Sequence, residues 1–367
     1  MEKHDAHRPS LTPFLTGLWY VVAPARAVRH GHPIVRTMFS EPIVISRSRD
    51  GRVSALRDRC PHRGAPLSAG RQCTVDGRDA MQCPYHGWAF DIETGTCLAA
   101  PALSTHDRVQ DVSGVKAHAY RVAERHGLIW LFYEGPAARQ TPIGPAVGSP
   151  AVIANELQLK SLTIVDAHGP YEEAVSGLVD AAHTPFVHKQ WWWRQGQAAR
   201  EKQKYYEALN TGFRIPAHPP SGNSRIYRTL GGAPTTQIDV ILPGIRIETI
   251  RNERHTIIGL TAITPLSANR NRLFHALYWT LPLMTALTPI IDAMAKSFLA
   301  QDAAILNAQA TRLSEDERPA PLFLGDPDEP SKWMRQLARA WRAHQERGTD
   351  TESFENPVNV RDLHWKT

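Results

Sequence analysis

Residues 60–64 read Cys60-Pro61-His62-Arg63-Gly64, and residues 83–88 read Cys83-Pro84-Tyr85-His86-Gly87-Trp88. Each stretch offers one thiol and one imidazole, separated by one residue in the first and two in the second. Pro and Gly surround both, with Ala65-Pro66 following the first, so both read as turns rather than as helix or strand. Two tight turns that present two Cys and two His form a metal-binding set.

That order is the ligand set of a Rieske [2Fe–2S] centre, in which two histidines replace two cysteines on one iron. The rival is a structural Cys₂His₂ zinc site. Zinc modules usually pair like with like, as C-x₂-C with H-x₃-H, whereas each cluster here mixes the two. The plainest reading is two core cysteines with incidental histidines nearby.

A second constellation lies in the C-terminal half, Asp180-Ala-Ala-His183-Thr-Pro185-Phe-Val-His188. Asp180 and His183 are three apart and share a face if the segment is helical. Pro185 disfavours helical backbone at Thr184, so a helix from about Glu172 is expected to end or kink there. His188 can then fold back to face His183, and two neutral imidazoles held so suit a first-row metal. Met294, Phe298 and Ile305 mark an apolar stripe at helical spacing, and Asp302 falls on it. A carboxylate on a buried face is costly unless paired or metal-bound. His183, His188 and Asp302 would form a 2-His-1-carboxylate facial triad, the geometry of non-haem Fe(II) oxygenases. Alone, these residues also fit a helix-surface Asp–His pair and a buried Asp that caps an element or pairs with an Arg.

From about Leu18-Trp19-Tyr20 to about Gln309, the chain resembles the α subunits of Rieske non-haem iron oxygenases. The resemblance rests on C-P-H-R-G at Cys60–Gly64, C-P-Y-H-G-W at Cys83–Trp88, D-x-x-H-x₄-H at Asp180–His188, and the pair Gln301-Asp302. It implies an N-terminal all-β Rieske domain and a C-terminal helix-grip domain, an α+β chain overall. It also implies that Cys60, His62, Cys83 and His86 hold the cluster, and that His183, His188 and Asp302 hold Fe(II). By the same resemblance, Asp180 bridges His183 and the His86 position of a neighbouring subunit, gating electrons across a homotrimer interface. Merely orienting His183 is the simpler role. Two departures stand out: Gly177 occupies a place usually held by Asn, and the interval from His62 to Cys83 is longer than usual, with the excess around Cys73–Arg78.

The 367 residues suffice for two domains, expected at 15–135 and 151–345, with the boundary in the Pro-, Gly- and Ala-rich stretch 135–150. Hairpin signals stand at Pro42–Leu56, around Asp50-Gly51, and at Phe90–Leu98, around Gly95. Leu128–Tyr133 is a continuous apolar run suited to a buried strand. The second half opens with strand-like Leu157–Leu162, followed by the Asp180 helix. Strand-like runs at Ile238–Ile241, Ile245–Ile250, Thr256–Thr264 and Leu273–Trp279 precede the Asp302 helix. Ile245, Ile247 and Thr249 alternate with Arg246 and Glu248, so one face of that strand is polar. Trp191-Trp192-Trp193-Arg194 reads as a structural or interface clamp, or as a substrate wall. Met334–Arg347 reads as a basic amphipathic helix with a solvated or interface face, with a ferredoxin dock as the alternative.

Four cysteines are few, and Cys73 and Cys97 read as reduced thiols. The first ten residues lack an apolar core, no membrane span is visible, and His4 and His7 read as tail residues, so a soluble cytoplasmic protein is expected. A net charge of +6 without an aromatic-interleaved basic motif argues against nucleic acid and suits an acidic electron donor such as a ferredoxin. No G-x-G-x-x-G follows a strand, so NAD(P)H would be used only through a separate reductase. The family resemblance then implies a terminal oxygenase using O₂, of the α₃ group that hydroxylates or demethylates small aromatic or polycyclic molecules. Cis-dihydroxylation is the second expectation, and an electron carrier with a degenerate catalytic domain the third.

Overall fold

The computed structural model describes residues 14–104, 106–107, 111–135, 150, 153, 157–188, 201–220, 232–315, 322–347 and 353–366. The Trp191–Arg194 stretch, His4, His7 and most of the expected interdomain stretch lie outside them.

The described residues of the N-terminal part form ten strands. β1 (Leu18–Pro24), β2 (Ile34–Met38), β3 (Glu41–Arg47), β4 (Val53–Arg57), β9 (Ala119–Arg125) and β10 (Leu128–Tyr133) form one antiparallel sheet in the order β1-β10-β9-β4-β3-β2. β10 is buried along its whole length, as its unbroken apolar run requires. β5 (Arg71–Val75), β6 (Arg78–Gln82), β7 (Ala89–Asp91) and β8 (Cys97–Ala99) form a smaller sheet. The extra length between His62 and Cys83 is the β5–β6 hairpin. Asp76 and Gly77 at its turn have φ of 48° and 80°, the two positive values that an Asp-Gly turn of type I′ needs.

The C-terminal part centres on a seven-stranded antiparallel sheet in the order β11-β18-β17-β16-β15-β14-β13. Its strands are β11 (Leu159–His168), β13 (Glu207–Leu209), β14 (Gly212–His218), β15 (Thr235–Ile241), β16 (Ile245–Arg251), β17 (Thr256–Ser267) and β18 (Arg270–Trp279). β12 (Glu201–Lys204) pairs with β19 (Leu363–Lys366). The four strand-like runs fall on β15 to β18, and the Leu157 run enters its strand two residues late, at Leu159.

One face of the large sheet meets the N-terminal part: Ile247, Ile258, Leu260, Phe274 and Ala276 pack with Val21, Leu128 and Trp130. Thr264 Oγ1 donates to the Val21 carbonyl at 2.6 Å across this junction. The other face carries helix α1 (Tyr171–Val179) and the long helix Thr288–Glu315, whose Leu299, Ala303 and Leu306 are buried. That buried line corrects the expected stripe, because Ile305 is exposed and Asp302 stands at the flank of the buried face. The helix Glu329–Glu346 buries Trp333, Met334, Leu337 and Trp341. Its Arg335 and Arg342 bond Glu172 and Glu173 of α1, so two of its three arginines are committed within the chain. Among the described residues no helix is long and apolar enough to cross a membrane.

Candidate metal centres

Cys60 and Cys83 occupy two copies of one turn. The Cys60 N–H donates to the Ala65 carbonyl at 2.7 Å, and the Gly64 N–H donates to the Cys60 carbonyl at 2.8 Å. In the second loop, the Cys83 N–H donates to Trp88 at 2.7 Å and the Gly87 N–H to Cys83 at 3.1 Å. Gly64 and Gly87 have φ of 76° and 74°, which fixes glycine four residues after each cysteine. Asp58 pins the first loop by accepting the Ser68 N–H at 2.7 Å.

The thiols point inward and the imidazoles outward. Cys60 and Cys83 are each 2 % exposed and share a cluster with Leu67, Met81 and Phe90. His62 is exposed, and its ring lies 4.8 Å from that of His86 and stacks on Trp88 at 4.6 Å. Burial pushes the Cys60 thiol up, with Cys83 beside it adding to the effect. Two thiols buried side by side suit a cation that receives them as thiolates.

The second set converges as well. The ligand atoms of His183, His188 and Asp302 lie within 4.8 Å of one another, the one such trio among the described residues. Its local fold differs from the expected helix ended by Pro185. α1 stops at Val179, and Asp180 is its C-cap in extended backbone. The Asp180 carboxylate accepts the N–H of Ala182 at 2.7 Å and of His183 at 3.3 Å, replacing the helical bonds with a local turn. Pro185 lies instead in the first turn of the short helix α2 (Thr184–Val187), where its missing N–H costs nothing. Asp180 and His183 therefore meet across a turn, not along a helix face.

The far nitrogen of each imidazole faces a polar partner, hydrogen-bonded in His188 and at longer range in His183. His188 Nδ1–H donates to Gln301 Oε1 at 3.2 Å, and the His188 ring stacks on Phe298 at 3.4 Å. His183 Nδ1 faces Asp180 Oδ2 at 3.6 Å. The near nitrogens, His183 Nε2 and His188 Nε2, face Asp302 Oδ1 at 3.5 and 3.3 Å. His188 Nε2 is buried without a hydrogen-bond partner. A lone pair aimed at a carboxylate oxygen is repulsive unless a cation sits between them. Burial lowers the His183 pKa, but Asp180 and Asp302 outweigh it and push it up to about 9, so a proton fills that role when metal does not. Burial holds His188 below the usual histidine range, leaving it neutral and able to ligate. Asp180 is held low because its bonds to His183 and Ala182 overcome burial. This donor set fits a divalent first-row ion, with Asp180 and Gln301 orienting the two imidazoles. The orienting role of Gln301 was missed in the sequence, because only its place beside Asp302 was visible there.

The sequence profile of the Rieske [2Fe-2S] domain matches residues 18–118. The oxygenase component of dicamba O-demethylase from Stenotrophomonas maltophilia is 34% identical over 176 residues, covering 48% of each chain. Chloroplastic chlorophyllide a oxygenase from Arabidopsis thaliana is 32% identical over 183 residues, 49% of this chain and 30% of that one. These matches therefore span half or less of the relatives' own length. The crystal structure of dicamba monooxygenase with non-heme iron and dicamba superposes with a TM-score of 0.67 at 20% identity, covering 92% of this chain and 100% of the other. The likeness of fold thus extends through both halves of the chain.

Proposed function

We propose that this chain, which carries a Rieske [2Fe-2S] domain within the two-part fold of Rieske oxygenase α subunits, is the terminal component of a monooxygenase acting on a small aromatic or polycyclic molecule. One observation carries the reading: a Cys₂His₂ quartet and a 2-His-1-carboxylate trio stand in the same chain, each shaped for its own iron chemistry. Cys60, His62, Cys83 and His86 would hold the cluster, and His183, His188 and Asp302 the iron. When bound, the cluster supplies single electrons and the iron a site for O₂.

The chain's own residues do the positioning. Gln301 and Asp180 fix which nitrogen of each histidine faces inward. The stack of Phe298 on His188 closes one side of the site to water. Asp180 keeps about a third of its side chain accessible beside His183, and His86 lies at the surface of its own loop. That exposure supports a relay from a neighbouring subunit's cluster through Asp180, and hence a homotrimer. Electrons would come from NAD(P)H through a separate reductase or ferredoxin. One atom of O₂ would enter the substrate and the other would leave as water, with two electrons and two protons consumed.

The experiment is turnover under ¹⁸O₂ with a reductase and a panel of methoxylated and polycyclic aromatics. Incorporation of one labelled atom, or release of formaldehyde from a methoxy group, is the expected outcome. Two labelled atoms in one cis-diol would replace the reading with ring dihydroxylation.

A further inference from the structure

The helix-bearing face of the large sheet has a polar island, and its position can be read from the register. Ser161 of β11 donates to Asp292 near the start of the long helix, and the His168 N–H donates to Asn307 at 2.6 Å fifteen helical residues later. Fifteen residues of helix and seven of strand each span about 22 Å, so helix and strand run side by side. Phe298 and Asp302 therefore stand over the stretch Thr163–Asp166.

Directly opposed residues share a face, and Thr163 opposes His275, His275 opposes Thr261, and Thr261 opposes Arg246. This row continues from the strand under the long helix into the sheet, at the level of the metal trio. Glu248 lies on the same face two residues from Arg246, and its carboxylate pairs with Arg246 Nη2 at 3.0 Å. Apolar side chains on the same face flank the row, with Ile263, Leu273 and Val165 on the α1 side and Leu277 on the other. Such a face would be cheaper to build from apolar groups throughout if nothing polar ever entered it.

Gly259 adds a second, independent observation. It sits on the same face beside the row, and a Cβ built there would meet only Leu277 and His275, at 3.5 and 3.6 Å. A glycine inside a strand weakens the sheet and often marks close approach of a ligand. Here any side chain would pack directly against the His275 ring.

We propose that Thr261, His275 and the Arg246–Glu248 pair form the polar end of the substrate cavity, opened by Gly259. In our reading they select aromatic substrates bearing an uncharged hydrogen-bonding group, of the carbonyl or amide class, over carboxylates. His275 Nδ1 and Thr261 Oγ1 are 2.8 Å apart, which commits that edge of the ring and leaves Nε2 for a ligand. Burial keeps His275 neutral, with a pKa lowered to about 4. The charge of Arg246 is already offset by Glu248. A carboxylate entering here would lose its water, meet Glu248 and gain no free cation among the described residues of the row, whereas an amide or carbonyl gains a hydrogen bond at little cost.

The inference rests on the oxygenase reading for the reaction the cavity serves, but its test needs no turnover. Dissociation constants for 3-methoxybenzamide and 3-methoxybenzoate would be measured by ligand-observed NMR on the full-length protein, with iron and sulfide assayed on the same sample. The amide should bind at least about tenfold more tightly than the acid. His275→Ala should shrink that ratio below about threefold. Gly259→Ala, which meets no short contact, should be tolerated, and Gly259→Leu should weaken both ligands at least tenfold with iron and sulfide unchanged. Equal or reversed affinities, no binding of either probe, or a Gly259→Leu protein that binds normally would overturn the proposal. A preserved amide preference in protein lacking sulfide would instead sink the oxygenase reading and leave this one standing.

Discussion

Gln301 holds His188 by the nitrogen that faces away from the trio, so it governs a metal it would not touch. Replacing Gln301 with Ala should weaken iron binding by roughly 10–100-fold, as losses of such orienting partners do, in a chelator competition that leaves sulfide content unchanged. Unaltered affinity would mean that the Phe298 stack alone holds the ring. Asp302→Ala removes the carboxylate that faces both imidazoles, so about one iron per chain should be lost while the cluster's visible spectrum persists. Loss of both signals would defeat the idea of two separate sites. Asp180→Asn should retain both metals yet slow turnover by orders of magnitude, and a fully active variant would remove Asp180 from the relay. His183, His188 and Asp302 stood out as candidates in the sequence only because they occur together with the two Cys/His clusters. Gln301 and His275 were not legible, since a Gln in a helix and a His in a strand have many ordinary uses.

The elements supply the geometry, and here sequence signals compete. Pro185 looks like the residue that ends the helix, but Asp180 ends it five residues earlier by taking two backbone N–H groups for its own carboxylate. Pro185→Ala should accordingly change stability by less than about 1 kcal/mol and leave iron content intact. A large loss of iron would restore Pro185 as the organising residue. Gly244, by contrast, lies against α1: a Cβ there would stand 2.8 Å from Val175 Cγ2 and 2.9 Å from Tyr171 Oη. Gly244→Ala should push the helix that leads to Asp180 and His183, at a cost of about 1–3 kcal/mol, and lower the iron-to-sulfide ratio. Five of the seven strands of the large sheet were readable from their apolar, β-branched runs, whereas the short β13 and the Pro- and Arg-containing β14 were not. The stripe on the long helix was misassigned at Ile305, because a helix flanking a metal trio divides its surface among sheet, ligands and solvent, and no single period describes it.

At the scale of the whole molecule, the two parts share buried surface and the bond from Thr264 to Val21, so the quartet and the trio belong to one folded body. The candidate ligand sets stood out in the sequence because metal chemistry restricts residue type and spacing so tightly. The assembly was not, because an interface is made of ordinary surface residues. Sedimentation should return a trimer, and a monomer active at assay concentrations would exclude the inter-subunit relay. The central claim is that one chain holds both kinds of iron site. The most direct measurement is EPR before and after dithionite, with iron, zinc and acid-labile sulfide analysis, on protein purified without oxygen. A reduced Rieske signal with about two sulfides and three irons per chain is the predicted result. Zinc without sulfide would contradict the account from Cys60 onward.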